Sequence, residues 1–552
     1  MKLSKIIVII SLFVLSFGFV ACQDQVLNKN PKNVYSSKAL WNSPNLAESY
    51  LNKVYQGVGQ FGIRHGNSPR EMPSSATDEA MQRGNHGIWT LNKGNISPSN
   101  LGDFNIWSPD YKEIRRANVF LKNIDDVPGL SASKIKTMKA EAKFIRAKLY
   151  ANLVNWYSWW QGPHNGVPLV TKPLKTSSNF KGMQRASYSD IVNFIVKECD
   201  AAAKNLPNKW PADQWGHITK GAALALKSEI LLYAASKRHN PSMDQSKWKK
   251  AADAAKAVID MGQYHLKSVQ TAEDYAGIFL NGGTHPGIIL ARPYDPQHLS
   301  HYWMDKMNSP NGYLGWGGNC PNQGFVDKYE MKNGMKITNP NSGYDPQHPY
   351  ENREIRFKGD VLYNNRMYRG RKTQFYDGGL DSKSGPQGWN TSPTGYTLYK
   401  FIDPNTNFHK TASPTPYIIY RIAEIYLNYA EAEYHLGNES MARKYVNKVR
   451  ERVHLPDITS TGNQLLQDIR HERTIELAFE RNFRWCDVRR WEIAPQTANK
   501  DYIKIDIKKL GPDKFSYSTS TAMPRTFNKR NYSLPIPLDE IQKTSLKQNP
   551  GY

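Results

Sequence analysis

The chain has 552 residues, 39% of them hydrophobic and 22% charged, with 73 Lys and Arg against 49 Asp and Glu for a formal charge of +24. Such a length supports a large core, in two domains or in one domain with insertions. Only four cysteines are present, and with Cys22 taken for lipidation the remaining Cys199, Cys320 and Cys486 are an odd set, which argues against a disulfide framework.

Lys2 and Lys5 precede an apolar run, Ile6 to Val20, that ends in Ala21 before Cys22. This is the pattern of a signal peptide and not of a retained membrane span. Phe19-Val20-Ala21-Cys22 is similar to a lipoprotein cleavage box, with Phe where Leu is usual. Residues 1–21 are read as the signal, Cys22 as the lipidation site and 22–40 as a polar tether; the alternative is plain secretion with Cys22 incidental. Acylation, palmitate included, would give Cys22 several chains, enough for stable anchoring. No later stretch is long and apolar enough to span a bilayer. Cys199 and Cys486 fall in helical patterns and are read as small buried hydrophobes. The basic balance admits nucleic acid as a partner in principle, but export argues against it, and anionic glycans or lipopolysaccharide suit the compartment better.

Ser43-Pro44 is read as N-cap and first residue of a helix carrying Leu46, Tyr50, Leu51, Val54 and Tyr55. From about 57 to 107 the pattern dissolves into Gly, Asn, Pro and Ser with isolated aromatics, the mark of a functional loop. Helices are expected from Ser108-Pro109 to Asp126, from Ser131 to Trp160, from Ser187 to Leu206, from Thr219 to Ser236 and from Lys247 to Met261. Between about 264 and 416 the helical period vanishes and Gly, Pro, Asn, Tyr and Trp dominate, with short extended pieces such as GIILARPY and TGYTLYKFI. From Ile418 onward Ile422, Ile425, Tyr426, Tyr429 and Ala430 line one helix face, stopped by Gly437-Asn438, and a second helix follows with Ala442, Val446 and Val449 inward. Small and large residues there fall at tetratricopeptide positions. After Trp491 the chain reads as polar and irregular until LPIPLDEIQKTSLKQNPGY.

Six stretches then add up to a family: AEAKFIRAKLYANLV with GVPLV, SYSDIVNFIVKECDAAAKNLP, TKGAALALKSEILLYAAS, YLNYAEAEYHLGN, RHERTIELAFERNFRWCDVRRW, and LPIPLDEI with QNPGY. In this order, behind a lipoprotein-like signal, they resemble the SusD/RagB family of outer-membrane nutrient-binding lipoproteins along nearly the whole chain. The departures are the lengthened turn YSWWQGPHNGVPL and Cys486-Asp487-Val488 where Asp-Leu is commoner. The resemblance implies a mostly α fold: a tetratricopeptide-like scaffold of about four helix pairs (about 41–263 and 417–491) with a large loop-rich insertion carrying short strands. It makes 41–552 a single domain whose irregular segments, about 57–107 and 264–416, form the ligand face. It also implies a cell-surface, lipid-anchored, non-catalytic protein that captures oligosaccharide, without a cofactor, and delivers it to a SusC-like TonB-dependent transporter. The basic balance points towards an acidic polysaccharide. The rivals are a peptide-binding RagB-like lipoprotein with the same transporter partnership, and a glycoside hydrolase.

Sugar binding asks for flat aromatic faces and for groups that reach hydroxyls. The first irregular stretch offers Asp78, Glu79, Arg83 and Trp89; the second offers Arg292, Tyr294, His298, Trp303, Tyr313, Trp316, Asn319 and Asn322, with Trp389 further on. The foremost candidates are Trp89, Trp303 and Trp316, with Tyr294 beside them and Asp78, Arg83 and Asn319 as polar partners. By the resemblance, the loop before the first long helices and the segment around Trp316 both contribute to the platform. Trp156, Tyr233 and Trp485 lie in helical patterns and are read as core. Glu472, Glu476 and Glu480, one helical turn apart, could suggest acid–base chemistry, but Arg473, Arg481, Arg484, Arg489 and Arg490 are near enough in sequence to pair with them. No metal site is expected: Asp403, Asn405 and Asn407 alternate as in a calcium loop, but Phe408 stands where the turn needs Gly.

Overall fold

The computed structural model describes residues 37–59, 72–84, 87–174, 178–280, 283, 285–295 and 303–552. The expectations for the signal peptide, Cys22 and the tether as far as residue 36 lie outside the described residues.

The chain is mostly helical. Its main elements are α1 (Pro44–Val54), α2 (Gly87–Asn92), α3 (Trp107–Asn123), α4 (Ala132–Tyr157), α5 (Tyr188–Asn205), α6 (Lys220–Ala235), α7 (Gln245–Ile259), α8 (Ile422–His435), α9 (Glu439–Glu451), α10 (Gly462–Glu476), α11 (Phe483–Arg490) and α12 (Leu538–Thr544). Short strands are β1 (Ala80–Gln82), β2 (Ile288–Arg292), β3 (Asn319–Pro321) and β4 (Tyr417–Arg421), followed by the long β5 (Tyr502–Gly511) and β6 (Lys514–Met523). The pairs α1/α3, α4/α5, α6/α7 and α8/α9 stack in sequence, each helix packed on its predecessor.

Local chemistry starts these helices. The hydroxyls of Ser131, Ser187 and Thr219 accept from the backbone N–H groups of Lys134, Asp190 and Ala222, giving α4, α5 and α6 satisfied N-caps. Ala222, Ala223 and Ala225 on α6 and Ala251, Ala252 and Ala255 on α7 are buried, and their small side chains let these helices pack against their neighbours. Gly437 follows the end of α8 at φ +83, the left-handed turn in which glycine is without strain. Cys199 and Cys486 are buried and free, as is Cys320, and Trp156, Tyr233 and Trp485 lie in the core.

Two strand assignments differ from the sequence reading. Ile418 belongs not to α8 but to β4, which pairs antiparallel with β2; Ile288 faces Arg421 and Arg292 faces Tyr417. The run YIIYR is a β-branched and aromatic stretch buried on both faces, where helical and extended periods look alike. The segment after Trp491 is not irregular either: β5 and β6, ten residues each, form a hairpin whose register runs from Lys514 opposite Gly511 to Met523 opposite Tyr502. Its alternation Ile503-Lys504-Ile505-Asp506-Ile507-Lys508 was the available signal.

The insertion leaves the scaffold after α7 and returns at α8, yet α7 and α8 pack directly on each other. It has its own core, rich in aromatic rings, where Tyr275, Phe279, Phe325, Tyr329, Phe357 and Tyr396 are joined by Phe479 from the scaffold side.

Buried ion pairs fasten that core to the scaffold. Arg356 reaches Glu472 and Glu476 of α10, and Lys400 reaches Glu480 at 2.9 Å. Arg421 bonds Glu476 at 2.5 Å and Glu480 at 2.7 Å, and Arg452 bonds Glu476 at 2.6 Å. The expectation of a charge network thus holds, but its partners need correcting. Arg473 pairs with Asp487, Arg481 with Glu229, Arg484 with Asp78 and Arg490 with Glu431. The arginines next to the glutamates in sequence point elsewhere, while those meeting the glutamates come from the insertion and its border (Arg356, Arg421) and from the C-terminal end of α9 (Arg450, Arg452).

Candidate functional site

β1 and β3 bring the two irregular segments together as one antiparallel pair, with Met81 opposite Cys320 and Gln82 opposite Asn319. One residue beyond β1, the backbone N–H of Arg83 donates to the Gly318 carbonyl at 2.7 Å. Its guanidinium then donates to two more carbonyls, that of Trp316 through Nε at 2.6 Å and that of Trp389 through Nη1 at 2.9 Å. A planar, permanently charged donor fork suits this job, because one side chain can fix two loops at once.

The loops it holds are tightly apposed. Gly317 lies at φ +50, and a Cβ there would fall 2.6 Å from the Asn390 carbonyl, so only glycine allows this approach. Asn311 adds donations to the carbonyls of Ser382 and Pro386, at 2.9 and 3.0 Å. Trp316 is half-buried, with the Lys306 ammonium 5.2 Å from its ring centre. Trp389 is 76% exposed, more than any other large hydrophobic residue among those described, and Leu314 and Leu380 on the same two loops are also exposed.

Trp89 sits on α2 with its indole N–H donated to the Gln82 carbonyl at 3.0 Å. It is half-buried against Met81, Tyr502 and Met523, and Lys93 approaches its ring at 5.1 Å. The hairpin β5/β6 therefore backs the Trp89 end of the site. The same hairpin touches the Trp389 end, where the Ile505 N–H donates to Thr394 and the Asp377 N–H to Ile507.

The other candidate residues lie deeper. Asp78 is buried and receives both arms of Arg484, at 2.7 and 2.8 Å. Burial opposes its ionisation, but Arg484 outweighs that and holds the carboxyl well below the usual carboxylate range. Asn319 is fully buried, accepting from the Ser75 hydroxyl at 2.6 Å and donating to Asn308 at 2.9 Å. Tyr294 is buried beside Arg292, whose guanidinium lies 5.4 Å from the ring. The side chains of Trp303 and His298 lie outside the described residues. The structure thus ties Trp316 and Trp389 together through Arg83 and holds Trp89 to Gln82, the residue before Arg83, while Asp78 and Asn319 lie buried as supports and Trp389 is the most prominent ring. Trp389 carried no local signal beyond its place among Gly, Pro and Ser, and its neighbour Trp316 is 73 residues away in sequence.

No acid–base pair emerges from the glutamates of α10 and its extension. Glu472, Glu476 and Glu480 are buried and saturated by basic groups. Burial alone would raise the Glu476 carboxyl, but Arg452, Arg421 and Arg356 hold it well below the carboxylate range. A general acid needs the opposite environment.

Two family models match the chain in succession. One, described as starch-binding associating with outer membrane, covers residues 27–232, and the other, described as the SusD family, covers 286–552. A SusD-like protein of Formosa agariphila is 22% identical, over 98% of this chain and 97% of its own. Among solved structures, a SusD-like protein from Bacteroides fragilis superposes with a TM-score of 0.79 at 28% identity, covering 95% of this chain and 100% of that one. A second Bacteroides fragilis structure, a SusD-like carbohydrate binding protein, gives a TM-score of 0.75 at 23% identity over 91% of this chain and 99% of its own.

Proposed function

This chain belongs to the SusD family, and on that footing we propose that it captures oligosaccharide on the surface formed by Trp316, Trp389 and Trp89. The observation that carries this reading is the Arg83 clamp, which spends one guanidinium on holding two tryptophan-bearing loops side by side. An exposed indole offers a flat apolar face for a pyranose ring, and a site already ordered by internal hydrogen bonds loses little freedom on binding. The carbohydrate-binding relative from Bacteroides fragilis supports the same ligand class.

The finer reading is an acidic polysaccharide. Its support is the formal charge of +24 together with Lys508, Lys509 and Lys514 on the hairpin that adjoins the tryptophan loops; these lysines form no ion pair among the described residues. Delivery to a SusC-like TonB-dependent transporter, anchoring to the outer membrane through lipidated Cys22 and a position facing the exterior complete the role, by the family resemblance. No catalytic step belongs to it.

Affinity electrophoresis in gels holding neutral or anionic polysaccharides, followed by titration calorimetry with oligosaccharides and oligopeptides, tests this. Retardation by a glycan that is lost in Trp389→Ala and Trp316→Ala is the expected result. Binding of peptides alone would turn the reading towards the peptide-capturing branch.

A further inference from the structure

Away from the tryptophan loops, a cleft of about 390 Å³ opens between α3, the stretches 168–174 and 180–183, and α12. That volume falls within the range of small-molecule sites, about 300–1,000 Å³. Its walls are apolar: Trp107, Tyr111 and Ile114 from α3, Val170 and Phe180 from the two stretches, and Leu546 just past α12. The polar atoms at its floor are already engaged. The Tyr111 hydroxyl donates to the Pro168 carbonyl at 2.7 Å, the Asn118 amide donates to Val170 at 2.9 Å, and the Asn118 oxygen accepts from Arg146 at 2.7 Å. A sugar placed here would bury hydroxyls with few partners, which is unfavourable. An apolar chain has no polar groups to leave unpaired there.

The rim is cationic. Arg115, Lys172 and Lys543 border the cleft, against Glu540 as the one acid. Arg115 and Lys172 are exposed and form no ion pair among the described residues. Lys543 meets Asp539 at 3.3 Å and Glu540 at 3.6 Å, contacts on the exposed face of one helix that contribute little.

We propose that this cleft binds a single-chain amphiphilic anion, a medium-chain fatty acid in free form. The hydrocarbon tail lies along Ile114, Phe180 and Leu546, and the carboxylate stays at the mouth among Arg115, Lys172 and Lys543. The size of the cleft favours one chain over the paired chains of a phospholipid. This site does not rest on the oligosaccharide reading, since it shares no residue with the tryptophan surface.

Titration of the purified protein with dodecanoate, followed by calorimetry, tests the proposal. Saturable binding at a stoichiometry of one is expected, weakened about tenfold or more in Leu546→Trp, which fills the cavity, and several-fold in the double variant Lys172→Glu/Lys543→Glu. Dodecan-1-ol should bind more weakly than dodecanoate, and the advantage of the acid should shrink as salt is raised. Trp389→Ala should leave dodecanoate binding unchanged. The charge-reversal variant alters only exposed side chains, so it remains informative if Leu546→Trp fails to fold. Absence of saturable binding, or binding indifferent to both variants, overturns the proposal. So does association with phosphatidylglycerol vesicles in the absence of any binding of free dodecanoate, which would make the cleft part of a membrane-facing surface.

Discussion

The helical scaffold and the tryptophan loops reach order by different means. In the scaffold, alanines and aliphatic side chains on successive helices interlock, and each contact resembles the next. In the loops almost nothing repeats. Arg83 fixes two carbonyls, Gly317 admits a third, Asn311 ties two more, and beneath them Asp78 and Arg484 form a buried pair. A repeated apolar interface spreads its stability over many small terms, so one substitution removes a fraction. A set of single contacts concentrates it, and one substitution can release a loop.

The largest expected effect falls where the two regions meet. Glu476→Ala leaves Arg356, Arg421 and Arg452 facing one another in the interior and should cost about 3–5 kcal/mol, read from thermal or urea unfolding. If it costs less than 1 kcal/mol, the claim that the join is concentrated in these charges fails. Trp389→Ala should weaken oligosaccharide binding about tenfold while leaving the unfolding midpoint nearly unchanged, because the ring is mostly outside the core. A large drop in stability instead would make Trp389 a structural anchor and erase the contrast.

A third test uses acidity. Burial pushes the Glu79 carboxyl up to about 8, with Arg484 opposing the rise and Asp78 adding to it. A carboxyl raised above its unfolded value favours folding below about pH 4.5, and that contribution is lost as pH climbs through about 8. Stability should therefore decline across this window, and Glu79→Gln should flatten the decline; an unchanged slope assigns it to other groups. The smallest effect belongs to the scaffold. Thr219→Ala removes one N-cap of α6 and should cost about 1 kcal/mol without altering ligand binding.

The scaffold was legible in the sequence because its determinants are local. Ser131, Ser187 and Thr219 announce helix starts, Gly437 announces an end, and the 3.6-residue period between them marks the inward face. The loop surface was legible only as a region. Trp89, Trp316 and Arg83 could be named as candidates, yet nothing nearby told that Arg83 would bind the backbone of Trp316 and Trp389, 233 and 306 residues away. Asp78 looked like a ligand group for the same reason, since its partner Arg484 is 406 residues distant. Glutamates beside arginines in α10 suggested local pairs, while the actual partners arrive from across the fold. In the hairpin only β5 alternates isoleucine with charge, while half of β6 is serine and threonine and offers little apolar face to read.

The pairing of β2 with β4 closes the insertion at its base, and α7 meets α8 as though the intervening chain were absent. In engineering terms residues 293–416 form a cassette with adjacent ends. Exchanging it for the corresponding piece of another family member would cost little loop-closure entropy at the junction. The price would fall on the charges that must match, so a successful transplant has to carry Arg356 and Lys400 with it, or bring their glutamates from the donor.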